Sequence, residues 1–226
     1  MDQQTREAVQ VLLQGRQYVL SLLHTLFGTE PAMEMLRAAA SDDSLATIAL
    51  FEAQETPGAA MLREALMPLR QVDEEQLGNI RQEYTNLFLG PRELVAPPWE
   101  SVYVTRDRAL FQESTLAVRQ WYQRYGYQPA GYPRYPDDHI SLMLHFLALL
   151  TGEALGCLRE GRVDDCRGLL EGQKVFVQNH LLHWLPRYQA DMQKAETALF
   201  YPGLSAALCQ IITDDGPLID ELLASL

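Results

Sequence analysis

At 226 residues, with Lys+Arg 18 against Asp+Glu 30 and a net charge of −12, the chain can bury one large core or two small ones without help from disulfides or metals. That acidity argues against a nucleic-acid binder that works by neutralising phosphates and against attraction to an anionic membrane surface, and it suits a basic peptide partner. Cys157, Cys166 and Cys209 are an odd, widely spaced set with no C-x-x-C, which excludes a disulfide framework or zinc cluster and fits reduced thiols in a cytosol.

In chain order, the start Met1-Asp2-Gln3-Gln4-Thr5-Arg6 lacks the basic-then-apolar pattern of a signal peptide. Ala8, Val11, Leu12, Gly15, Tyr18, Val19, Leu22 and Leu26 then repeat at helical spacing, predicting one long amphipathic helix over about 4–27, ended at Gly28. Short helices are expected at about 31–40, 43–54 and 58–70, separated by Ser41-Asp42-Asp43 and Thr56-Pro57-Gly58. Leu77, Ile80, Tyr84, Leu87 and Phe88 mark another, stopped by Gly90-Pro91. Pro97-Pro98 stiffens the next turn and presents Trp99 at a fixed angle.

Phe111, Thr115, Val118, Tyr122 and Tyr125 predict a helix over about 106–125. Residues 126–136 cannot continue it, because three prolines and two glycines fall in eleven residues, so they read as a boundary. Either Asp137 or Asp138 can cap the next helix, whose Ile140-to-Leu150 stretch is apolar almost all round and suits the core; the apolar run from Leu142 to Leu150 is too short to span a bilayer. Helices are expected at about 163–184, 187–199 and 203–225, with breaks at Tyr201-Pro202-Gly203 and Asp214-Asp215-Gly216-Pro217. No alternating strand pattern appears, so the fold class is all-α. The compact helical fold divides into an N-terminal lobe over 1–126 with the Pro-Pro-Trp loop, a Pro/Gly/Tyr-rich hinge over 127–137 and a C-terminal lobe over 138–226, packed as two lobes or as one domain. Such a hinge permits either a monomer or a lobe-swapped dimer.

Three blocks carry a family resemblance. The run Tyr84-x-x-Leu87-Phe88-x-Gly90-Pro91, continued by Pro97-Pro98-Trp99-Glu100-Ser101-Val102-Tyr103, resembles the signature of the TorD/DmsD family of cytoplasmic maturation chaperones for molybdenum-containing redox enzymes. Arg106-Asp107-Arg108 with Ser114-Thr115-Leu116 extends it, Asp138-His139 opening an apolar helix is similar to the family's second hallmark, and Asn179-His180-Leu181-Leu182-His183-Trp184 resembles a weaker third block. Many relatives place a carboxylate one turn after the Asp-His pair, where this chain has Ser141, Met143 and His145.

The resemblance implies a cytoplasmic chaperone that binds the twin-arginine leader and the apo form of a molybdenum-containing oxidoreductase, assisting cofactor insertion and proofreading before export. It holds no cofactor of its own, inserts stably into no membrane and binds no nucleic acid. The leader-binding residues it implies are Leu87, Phe88, Pro98, Trp99, Tyr103, Arg106, Asp138 and His139, in a groove where the loop 90–99 meets the segment 127–139. Asp138 is expected to be exposed to the leader's arginines, as charge-assisted recognition requires.

No phosphate loop, dinucleotide fingerprint or serine-hydrolase elbow is present, so the chain reads as non-enzymatic, without catalytic or metal-binding residues. The alternatives are a helical adaptor for a folded partner and a metal-dependent hydrolase using His139, His180 and His183. A bare H-x-x-H is a weak metal signal, and His180 and His183 read instead as packing residues on one helix face.

Overall fold

The computed structural model describes residues 2–52, 56–90, 93–130, 135–195 and 199–226. Among these lie eleven helices: α1 Gln3–Gly28, α2 Met33–Ala39, α3 Asp42–Glu52, α4 Pro57–Leu66, α5 Glu74–Tyr84, α6 Glu100–Val104, α7 Glu113–Arg124, α8 Ile140–Arg159, α9 Val163–His180, α10 Leu185–Met192 and α11 Tyr201–Ser225. The local signals behave as their chemistry dictates. Asp2 accepts from Thr5 N at 2.8 Å to start α1, and Asp73 and Gln76 exchange side-chain and backbone bonds as a capping box for α5. α5 runs on into a wider turn over Thr85–Leu89, closed by Gly90 N donating to Thr85 O at 3.0 Å; Gly90 has φ 72°, which a glycine supplies without steric cost.

α1 lies along α8, and α4 packs on α11, so elements from before and after the 127–137 segment share one hydrophobic core. Both pairs approach closely. A Cβ on Gly28 would meet Ser141 Oγ at 2.7 Å, and one on Gly58 would meet Ile211 N at 2.6 Å. α8 is long and apolar enough to cross a membrane by length and composition, but 67% of that window is buried inside the protein. The centre of the expected hinge, residues 131–134, lies outside the described residues.

Buried polar groups fasten the helices to each other. Arg16 of α1 donates from Nε and Nη2 to Asp215 of α11 at 2.6 and 2.8 Å, and from Nη1 to Gln173 of α9 at 2.6 Å and to Thr151 of α8. Glu83 of α5 accepts the amides of Phe200 and Tyr201 at 2.9 and 3.1 Å, supplying the start of α11 from a distant part of the chain.

Three expectations need correction. The helix expected over 106–125 begins only at Glu113; before it, Arg108 and Phe111 sit at φ 46° and 58°, conformations no helix contains. The expected break at 214–217 does not occur, and α11 continues through Pro217. An interior proline forfeits a helical bond at a cost of about 3 kcal/mol. Here the preceding turn is tied down by Asp215 on Arg16 and by Asp214 accepting from Gly58 N at 2.9 Å. Finally, neither aspartate caps α8. That helix starts one residue later than an Asp138 cap requires, and His139 Nδ1 accepts from Ser141 N at 3.1 Å instead.

Candidate functional site

The proline-stiffened turn and the start of α8 meet edge to edge. Pro98 O accepts from Ile140 N at 2.9 Å, Glu100 N donates to Asp138 O at 3.2 Å, and Trp99 and His139 face each other in an antiparallel bridge. Trp99 at φ −122°, ψ 133° and His139 at φ −70°, ψ 134° are both extended, so the two segments can pair as strands do although no sheet follows among the described residues. The indole and imidazole pack edge to face with centroids 5.2 Å apart, both half-buried.

Asp138 lies beneath this bridge and is 0% exposed. One carboxylate oxygen accepts from Ser101 N at 2.7 Å, satisfying an amide at the start of α6, and the other accepts from Thr115 Oγ1 at 2.9 Å on α7. The expectation of an exposed carboxylate is therefore corrected. With its oxygens committed to α6 and α7, Asp138 fixes the Trp99 turn to the rest of the protein. Its neighbour Asp137 is also buried, accepting from Arg119 Nε and Nη2 at 2.9 and 2.6 Å.

Of the other residues implied by the resemblance, Leu87, Phe88, Pro98 and Tyr103 are buried, and Arg106 is exposed on the loop after α6. Phe88 packs in an aromatic group with Phe27, Tyr84 and Tyr201. The apolar side chains that reach the surface near the bridge in sequence include Leu89, Val95, Val104 and Tyr135, which periodicity had no means of singling out. The walls of the expected groove include residues 91–92 and 131–134, outside the described residues.

Histidines gather on the α1–α8 seam. His24 donates from Nδ1 to Ser141 O at 2.9 Å and stacks on His145 at 4.3 Å, while His139 Nδ1 accepts from Ser141 N, which leaves the proton of its neutral ring on Nε2. Burial, with His24 nearby, pushes His139 down to about 4, and burial followed by His145 lowers His24. His24 and His145 were missed by sequence reasoning because they are 121 residues apart and meet only through helix packing.

A second cluster surrounds Glu100, which directly follows Trp99. Its carboxylate is 2% exposed and lies 3.2 Å from His180 Nδ1 and 3.1 Å from His183 Nε2. Burial raises the Glu100 carboxyl, a rise opposed by its hydrogen bond to His180, and burial lowers His183. α9 ends at His180, so the two histidines do not share a helix face; they bracket a carboxylate from α6. His139 instead contacts Trp99 and Ser141, and among the described residues no group of three or more His, Cys, Asp or Glu is placed to hold a metal.

Residues 52–190 match the family model described as nitrate reductase delta subunit. The Tat proofreading chaperone DmsD of Salmonella typhi is 36% identical over 129 residues, 55% of each chain, and the chaperone protein TorD of Vibrio vulnificus is 27% identical over 164 residues, 70% of this chain and 73% of that one. The chain belongs to the TorD/DmsD family. The DmsD match spans about half the length of that relative, and it brings with it a proofreading name rather than a catalytic one. A redox enzyme maturation protein from Archaeoglobus fulgidus aligns over 90% of this TorD/DmsD chain and 93% of its own, with a TM-score of 0.47 and 18% identity.

Proposed function

We propose that this TorD/DmsD chain is a non-enzymatic cytoplasmic chaperone that binds the twin-arginine leader and the apo form of a molybdenum-containing oxidoreductase, assisting cofactor insertion and proofreading before export. The observation that carries this reading is the Trp99–His139 bridge, which holds a partly exposed aromatic ring on a turn stiffened by two prolines and tied to the start of α8. Affinity gained from such an anchor is not spent on ordering it.

In this reading the leader's apolar segment lies on Trp99, with Leu89, Val95 and Tyr135 as flanking contacts and His139 offering its Nε2–H to a peptide carbonyl. Leu87, Phe88, Pro98 and Tyr103 support the turn from inside, Asp138 locks it to α6 and α7, and Arg106 takes a carbonyl or carboxylate of the bound chain. The leader's arginines are drawn by the net charge of −12 rather than by Asp138.

Titration calorimetry of Trp99→Ala with a synthetic twin-arginine leader tests it. Loss of one aromatic anchor should weaken binding by at least about tenfold while the variant stays folded. Unchanged affinity in a folded variant would remove Trp99 from the site. Capture of the mature oxidoreductase but not of the isolated leader would favour the adaptor reading instead.

A further inference from the structure

The end of α1 touches both parts of the proposed leader site. Gly28 abuts the start of α8, where a Cβ on it would meet Ser141 Oγ at 2.7 Å, and His24 donates from Nδ1 to Ser141 O at 2.9 Å. Ser141 N in turn donates to His139 Nδ1, the residue bridged to Trp99. On the other side, the chain just past Gly28 approaches the turn that carries Leu87, Phe88 and Leu89. Tyr84 packs on Phe88 with centroids 5.2 Å apart, and burial, followed by the Glu30 carboxylate, raises its hydroxyl. Gly28, Thr29 and Glu30 are all exposed.

This end of the helix is negative and unanswered. α1 has no basic residue in its last turn, and His24 is kept from protonating at neutral pH by burial and by His145. Leu26 O accepts from the Tyr201 hydroxyl at 3.1 Å, and Thr25 O accepts from Thr29 N at 3.1 Å. Pro31, however, has no N–H to offer Phe27 O, and among the described residues no backbone amide reaches Gly28 O. Glu30 makes no ion pair among the described residues; Arg81, which reaches the same loop, gives its Nε to Pro31 O at 2.7 Å.

We infer that Glu30 and the open end of α1 seat the guanidinium of one leader arginine, beside the Trp99–His139 bridge that takes the apolar segment; this rests on the chaperone reading and supplies the acid that reading lacks. Asp138 cannot serve, since its two oxygens are spent on Ser101 and Thr115. A guanidinium carries five N–H donors in one plane, so it can meet the carboxylate with one edge and a helix carbonyl with another. An ammonium is a point charge without that fork, which makes arginine rather than lysine the preferred residue. The helix dipole adds to the preference for a cation here.

Calorimetry on the full chain with a synthetic twin-arginine leader is the test. At physiological ionic strength Glu30→Gln should weaken binding by about threefold to tenfold, with no change in thermal unfolding because the side chain is exposed. A leader whose two arginines are replaced by glutamine should bind the parent and Glu30→Gln alike, since the partner of the carboxylate is gone. Asp164→Asn removes the same charge beyond the far end of the 20-residue α8, about 30 Å from His139, and should change affinity by less than about twofold. Equal losses in Glu30→Gln and Asp164→Asn would reduce the effect to the general field of an acidic chain and overturn the assignment. A Glu30→Gln loss that persists with the glutamine leader would overturn it as well. If Glu30→Gln binds unchanged while Trp99→Ala does not, this inference fails and the chaperone reading stands; if both variants bind unchanged, the reading itself fails.

Discussion

Around Arg16, a buried cation meets a bidentate carboxylate, an amide oxygen and a hydroxyl from three other helices, and every partner bears a fixed complementary role. Around Glu100 and the adjoining Trp99–His139 bridge, the buried charge is a carboxylate and its neighbours are imidazoles, which are cationic only when protonated. The first arrangement is complete at any pH at which Asp215 is ionised. The second depends on where protons reside. A permanently paired cluster serves as scaffold, whereas one built from histidines beside a partly exposed indole remains responsive at the place proposed for the peptide.

The sharpest way to break this contrast is Asp215→Ala, which strands a buried guanidinium and should cost about 3–5 kcal/mol in urea unfolding while leaving the leader affinity of the folded fraction intact. Altered affinity would show that the Arg16 cluster is not scaffold alone. Asp138→Ala should cost about 3 kcal/mol by abandoning two buried donors, and it should also weaken leader binding because the Trp99 turn loses its anchor to α6 and α7. A loss of stability with unchanged leader affinity would detach Asp138 from the site.

Acid comes next. His139, His24 and His183 are all held below the ordinary histidine range, so between about pH 6.5 and 4 the unfolded chain binds more protons than the folded one, and stability falls as pH falls. Glu100, raised by burial, acts in the opposite sense above the ordinary carboxylate range and offsets part of the slope. The net loss, of order 1–3 kcal/mol, rests on His139, with His183, 41% exposed, adding little through solvent screening, and His139→Gln should flatten it; an unchanged slope in that variant would place the proton uptake elsewhere. The smallest effect is expected from Glu100→Gln. It replaces a desolvated charge with a neutral group of the same shape and should shift stability at pH 7 by under about 1 kcal/mol. A loss of several kcal/mol would mean that the Glu100 cluster is as permanently ionic as that of Arg16.

Much of the fold was legible because it is written in local chemistry. The stripe from Ala8 to Leu26, the apolar α8 and the stop at Gly90 need only neighbours within a few residues to be read. The Pro97-Pro98-Trp99 turn was equally legible, as was the family it resembles, since both rest on a contiguous run. Less visible was the fate of the charges. Asp138 looked exposed because carboxylates usually are, and only the pairing of residues 98–100 with 138–140 turns it inward toward Ser101 and Thr115. Glu100 gave a weak hint, lying one residue past the indole, but its histidines are 80 and 83 positions away.

Sequence by itself determined that this chain is helical, acidic and furnished with a rigid indole-bearing turn, because periodicity, net charge and proline geometry are properties of short stretches or of composition. Tertiary structure alone decided which polar side chains are sealed and which face water: that Asp138 is buried on Ser101 and Thr115, that Leu89 is exposed while Phe88 is not, and that Arg108, Arg187 and Lys194 share one pocket. Burial and pairing are set by what other segments bring alongside, and a linear pattern holds no record of that distance.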